Sequence, residues 1–115
     1  MDAVRRSDQR LCGKADFTAT IKEGRRARGR ALRLTARENG LAHNRYGFAI
    51  ARRNGGAVVR NRIKRRLREI VHQLPMRQGH DVLITAMDGA ANASFHQLSR
   101  DIERSSSKLS LLERS

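Results

Sequence analysis

The chain is short of the residues that staple or interrupt a fold: one cysteine, one proline and no tryptophan in 115 residues. Cys12 has no partner for an internal disulfide and no ligands at metal-binding spacing, so neither a disulfide scaffold nor a cysteine metal site is expected. Aromatics are scarce, with one Tyr and three Phe. That is too little for the apolar face that would seat a basic chain on a lipid surface. Apolar residues nowhere run for the roughly 18 positions that a membrane span needs. The first ten residues carry Arg5, Arg6 and Arg10 with no apolar segment behind them, so no signal peptide is expected either and the protein reads as cytoplasmic. Acids are also few: 11 Asp and Glu stand against 25 Lys and Arg, a formal charge of +14. Self-repulsion at that density opposes compaction and points to a polyanionic partner, nucleic acid first.

An apolar fraction of 38% still supports a small core, and the length fits one domain, 1–115. The ends, 1–10 and 105–115, are rich in charge and Ser and are candidates for mobile tails. The stretch 14–24 has Ala15, Phe17, Thr18 and Ile21 at helical spacing and stops at Gly24. The stretch 29–38 alternates Leu32, Leu34 and Ala36 with Ala31, Arg33 and Thr35, a half-buried strand. A second alternating run, 45–52, puts Tyr46, Phe48 and Ile50 on one side, and the two runs are expected to pair as antiparallel neighbours. An amphipathic helix follows over 57–74 and ends at Pro75. A compact apolar strand over 81–87 and a final helix over 92–109, with Phe95, Leu98, Ile102 and Leu109 inward, complete the chain. The order helix-strand-strand-helix-strand-helix predicts an α+β fold, a small two-layer sandwich with helices covering one sheet.

The 57–74 helix concentrates the charge. Val59, Ile63, Leu67, Ile70 and Leu74 form one stripe, and Asn61, Arg62, Lys64, Arg65, Arg68 and His72 spread over the other side. Arg60 and Arg66 flank the stripe, their aliphatic stems available for packing. From Arg52 to Arg68 there are eight basic residues and no acid, whereas a merely solvated helical face intersperses both signs. Binding of nucleic acid follows from that face alone.

The run AVVRNRIKRRLRE at 57–69 resembles the signature of the protein subunit of bacterial ribonuclease P. Lys14-Ala15-Asp16-Phe17, the 45–53 run RYGFAIARR and Gly79-His80-Asp81-Val82 match in family order, so the likeness covers about 10–110. It implies a subunit of an endoribonuclease whose catalyst is RNA and which removes the 5′ leader of precursor tRNA by magnesium-dependent hydrolysis. The ions would be held mainly by the RNA, with no metal and no catalytic residue in the protein alone. The implied partners are the catalytic RNA and precursor tRNA, with no membrane and no small-molecule substrate. Arg52, Arg53, Arg60, Asn61, Arg62, Lys64, Arg65, Arg66 and Arg68 would contact RNA, while Phe17, Ile21, Arg33, Thr35 and Tyr46 would line a cleft for the leader. The resemblance further implies a left-handed crossover through the basic helix, against the usual rule. Three departures stand out. Ile21 replaces a frequent second aromatic and an aromatic common on the cleft-facing strand is missing near Arg33 and Thr35, which shifts leader contact toward cations and Tyr46, and Gly56 replaces a frequent Asn, removing a side-chain cap.

Other classes fit less well. An autonomous nuclease would need acids, bases or ligands at defensible spacing, and His43, His72, His80 and His96 with Glu69, Asp81 and Asp88 show none. A DNA regulator is disfavoured because the basic helix spends one whole face on the core. A non-catalytic structured-RNA binder of the ribosomal or assembly class is the nearest alternative, since it would need the same helix.

Overall fold

The computed structural model describes residues 10, 11 and 13–113. Cys12, the first nine residues and 114–115 lie outside the described residues, and with them most of the expected N-terminal tail. Helix α1 spans Lys14–Glu23, strand β1 Arg25–Arg28, β2 Leu32–Glu38 and β3 Arg45–Ile50. Helix α2 spans Ala57–Gln73, β4 His80–Ala86 and α3 Phe95–Lys108. Among the described residues no helix is long and apolar enough to cross a membrane.

The four strands form one mixed sheet in the order β1-β2-β4-β3, with β3 and β4 parallel and the other pairs antiparallel. Two expectations are corrected here. β2 and β3 are not neighbours: β4 lies between them, because its side chains are buried on both faces and a strand of that kind belongs at the centre. β1, the sequence Arg-Arg-Ala-Arg, carries no apolar alternation and gave no strand signal. It forms as an edge strand paired to β2 and buries only Ala27.

Register explains the layers. Ala27, Leu34, Ile84 and Phe48 align across the sheet, as do Ala36, Val82 and Tyr46, and this face carries the core under α2 and α3. The α2 stripe supplies Ile63, Leu67 and Ile70, with Val71 buried beside them, and α3 supplies Leu98 and Ile102. The opposite face takes α1, which packs on β2 and β4. α2 links the parallel strands β3 and β4, and its last cap, Leu74, is extended as expected before Pro75.

α3 begins at Phe95, three residues later than the sequence suggests, because Ala90–Asn92 form a separate turn of 3-10 helix. Ser94 then starts α3 with a reciprocal cap: its hydroxyl accepts the Gln97 N–H at 3.1 Å, and the Gln97 side chain accepts the Ser94 N–H at 2.8 Å. Residues 105–113 are packed rather than tail-like. Ser105, Ser106, Leu109 and Leu111 are buried, and the main chain of 111–113 bonds to that of Arg77 and Pro75. Small hydroxyl side chains serve there as close-packing residues, which composition alone reads as solvated.

Candidate nucleic-acid interface

The cationic helix face. α2 rises about 1.5 Å per residue, so Arg60, Lys64 and Arg68, four apart, stand about 6 Å from one another along one side. Asn61, Arg62, Lys64 and Arg65 are exposed. Arg60, Arg66 and Arg68 are half-buried at the borders of the stripe, as stems lying along apolar surface should be. The Arg68 guanidinium carbon sits 5.7 Å from the centre of the Phe48 ring, a cation–π contact that fixes its direction. Arg66 donates to the Ala93 carbonyl at 3.4 Å. Arg52 and Arg53 lie exposed in a turn of 3-10 helix just before α2, where Arg53 pairs with Asp88. Gly56 caps α2 with no side-chain hydrogen bond.

Two shallow grooves run beside these cations. One has an apolar floor, Phe48 and Ile50, edged by Arg60, Asn61 and Lys64. The other lies over Val58, Asn61, Lys64, Arg65 and Arg68. Val58 is 82% exposed, an apolar residue left in the middle of a charged face. Sequence reasoning assigned none of Val58, Phe48 and Ile50 to this surface. Val58 was legible as a large apolar position of the helix far from the stripe.

The cleft behind the sheet. On the α1 side the register lays down three rows: Arg37–Asp81–Arg45, then Thr35–Leu83–Gly47, then Arg33–Thr85–Ala49. The first row is an ion cluster that holds α1. Asp81, with its side chain fully buried, accepts from Arg45 at 2.7 and 2.8 Å, from Arg37 at 3.2 Å and from Asn39 at 3.0 Å. Asp16 of α1 accepts from the same two arginines at 3.2 and 3.1 Å. The bond to Asp81, though opposed by desolvation, raises the Arg45 pKa above its ordinary value. Arg37 and Arg45 are therefore spent on scaffold.

α1 crosses the second row. Phe17 lies over Gly47, where a Cβ would come within 3.1 Å of the ring, so the glycine makes room for it. The third row extends beyond α1 as a half-buried floor, with exposed Arg28 of β1 paired to Arg33. Of the residues assigned to this cleft from sequence, Phe17 is half-buried, Ile21 is 44% exposed and Arg33 is half-buried. Thr35 is buried against Gly24, too enclosed to meet a ligand.

Tyr46 is a correction. The alternation that joined it to Phe48 and Ile50 is real, but that side of β3 faces the core. Tyr46 is buried, its hydroxyl accepts from Asn44 at 2.9 Å, and its ring meets His72 edge-on. Burial raises its pKa, only partly offset by the Asn44 bond. The side chain cannot stack on a strand bound at the opposite face. Thr85 and Ala49, placed by the β4 register, and Arg28, placed by the β1–β2 register, occupy that floor.

Among the described residues no group of three His, Cys, Asp or Glu stands where it could hold a metal ion. Asp16 and Asp81, the acids nearest the cleft, are already occupied by arginines. The exposed cations of this surface are chemically suited to phosphate, and the half-buried Phe17 ring to the face of a base.

A family model described as Ribonuclease P matches residues 6–110. The chain is 38% identical to the ribonuclease P protein component of Acidothermus cellulolyticus over 104 residues, covering 85% of each chain. It is 36% identical to that of Syntrophomonas wolfei over 94 residues, covering 80% of this chain and 79% of the relative. Among solved structures, the RNase P protein of Staphylococcus aureus superposes with a TM-score of 0.82 at 26% identity, over 91% of this chain and 98% of that one. The RNase P protein of Thermotoga maritima superposes at 0.76 and 25% identity, over 83% and 92%.

Proposed function

The chain belongs to the ribonuclease P protein family, as the protein component of the enzyme that processes tRNA, and from that premise we propose how its two surfaces divide the work. The α2 face binds the catalytic RNA, and the cleft behind the sheet holds the single-stranded 5′ leader of precursor tRNA. The carrying observation is α2 itself: one face is spent on the core, and the other sets Asn61, Arg62, Lys64 and Arg65 in solvent with no acid among them. Arg52, Arg53, Arg60, Arg66 and Arg68 border that face.

The contribution of this chain is binding and charge compensation. Two polyanions brought together repel, and arginines placed between them release counterions and lower that repulsion. Magnesium supplies the hydrolytic chemistry where RNA phosphates hold it. The chain keeps its own carboxylates near the cleft neutralised by arginine, so it leaves the ions to the RNA. In the cleft Phe17 offers a face on which any base can stack, and Arg33 with Arg28 follows the backbone, which suits leaders of unrelated sequence. The complex works in the cytoplasm, where precursor tRNA is made.

The test is cleavage of a 5′-extended precursor tRNA by a bacterial catalytic RNA at low, near-physiological magnesium. Cleavage should require both the RNA and this protein. Cleavage by the protein alone would overturn the reading, and tight RNA binding without stimulation would move the chain to the ribosomal or assembly class. Phe17→Ala in the same complex should weaken binding of leader-bearing precursor by about tenfold, the cost of one lost stack. Affinity for mature tRNA should hold. An equal loss for both ligands, measured by filter binding, would remove Phe17 from the leader site.

A further inference from the structure

The cleft between the β1–β2 turn and α3 belongs to neither surface above. His96, Arg100 and Arg104 follow one another at four-residue steps along α3, and the turn brings Arg30 to the same hollow. All four are exposed. Sequence hides this patch: 77–115 holds as many acids as bases, and Arg30 is remote in the chain.

The acids that line the cleft are already engaged. Asp101 is buried and accepts the backbone N–H groups of Arg30, Ala31 and Leu32 at 2.9, 3.0 and 3.1 Å. It occupies the place a Cβ on Gly29 would take. Asp88 pairs with Arg53. The guanidinium groups of Arg30, Arg100 and Arg104 make no ion pair or hydrogen bond among the described residues. Three unneutralised arginines therefore share one concavity.

That concavity also adjoins the α2 face. Asp88 and Ala93, both part of its wall, are the residues held by Arg53 and Arg66. A chain of phosphates lying on the α2 face can continue past the Arg53–Asp88 pair and Arg66 to reach the arginines of the hollow.

We propose that Arg30, Arg100 and Arg104 form a further phosphate-binding surface, which takes the backbone of an RNA in the assembled enzyme. The inference rests on the ribonuclease P reading. Two RNAs could supply the phosphates, the catalytic RNA or the precursor tRNA, and their chemistry here is the same.

The test uses the full chain with Arg30→Gln, Arg100→Gln and Arg104→Gln combined, beside a second protein with Arg60, Lys64 and Arg68 replaced by Ala. A variant with only Arg100→Gln and Arg104→Gln leaves the turn untouched should the triple change lower the unfolding midpoint. Affinity for the catalytic RNA is measured across salt, and affinity of the assembled holoenzyme for precursor tRNA is measured separately. If the catalytic RNA is the ligand, the glutamine variant should bind it about tenfold more weakly, with the log K against log salt slope shallower by about 2. If precursor tRNA is the ligand, that slope holds and the holoenzyme loses about tenfold for precursor. Neither change, with the α2 variant still impaired, overturns this inference and leaves the function standing. Neither change with the α2 variant also unaffected overturns both.

Discussion

Replacing Arg60, Lys64 and Arg68 together by alanine is expected to weaken binding of the catalytic RNA by about 100- to 1,000-fold at physiological salt and to flatten its salt dependence. Each cation that neutralises a phosphate contributes about 0.7 to 0.9 to the slope of log K against log salt, so losing three should reduce it by about 2 to 3. The fold should survive. Ile63, Leu67 and Ile70 carry the buried stripe, and none of the three substitutions touches it. Like charges at four-residue spacing also repel, by a few tenths of a kcal/mol per pair, so their removal favours the isolated helix. Two terms oppose this gain. Arg68 loses its contact with the Phe48 ring, and half-buried Arg60 loses the packing of its stem. A net stability loss of about 1 kcal/mol accommodates both. Titration over a salt series with circular dichroism on the same samples checks the pair of claims. An unchanged slope would remove these residues from the phosphate contacts, and an unfolded spectrum would make them structural.

What could be read from sequence follows from where each signal originates. α2 was legible to within a residue because a 3.6-residue apolar period and a proline stop are local properties of the chain. The partners of β2 and β3 were not, because a short connection suggests a hairpin while the pairing is decided by β4, more than 30 residues further on. The apolar run of β4 held the clue, since a strand buried on both faces cannot sit at an edge. β1 was invisible for the opposite reason: three of its four residues are arginines, and only the register with β2 makes it a strand. Tyr46 shows the limit at the site itself. Alternation correctly grouped it with Phe48 and Ile50, yet periodicity does not say which side of a sheet meets the core and which meets a ligand. The third α1-side row, Arg33–Thr85–Ala49, became visible only once three strands were in register.

Asp81→Ala should be the most destabilising single change near the cleft, by about 3 to 5 kcal/mol in urea unfolding at neutral pH. The carboxylate is fully buried and takes four hydrogen bonds from Arg45, Arg37 and Asn39. Without it Arg45 leans on the half-exposed Asp16, and Arg37 on Asp16, the Thr20 hydroxyl and a longer contact with Glu23. Burial pushes the Asp81 carboxyl up, but the bonds from Arg45 and Asn39 and the two neighbouring positive charges pull it down further, so its pKa lies below the ordinary carboxylate value. The sign follows from linkage: a group with a depressed folded pKa stabilises above its unfolded pKa of about 4 and loses that contribution as pH falls through the folded value. Asp81→Asn, which resembles the protonated acid in shape, should therefore be destabilised at pH 7, with the gap to the parent protein narrowing below about pH 4 and closing only once pH has fallen through the depressed folded value. A gap that stays constant with pH would show that the charge is not what stabilises. Because the cluster ties α1 to the sheet, the loss also reaches function selectively. Asp81→Asn should loosen Phe17 and weaken leader-bearing precursor, while α2, seated on the other face, keeps its affinity for the catalytic RNA.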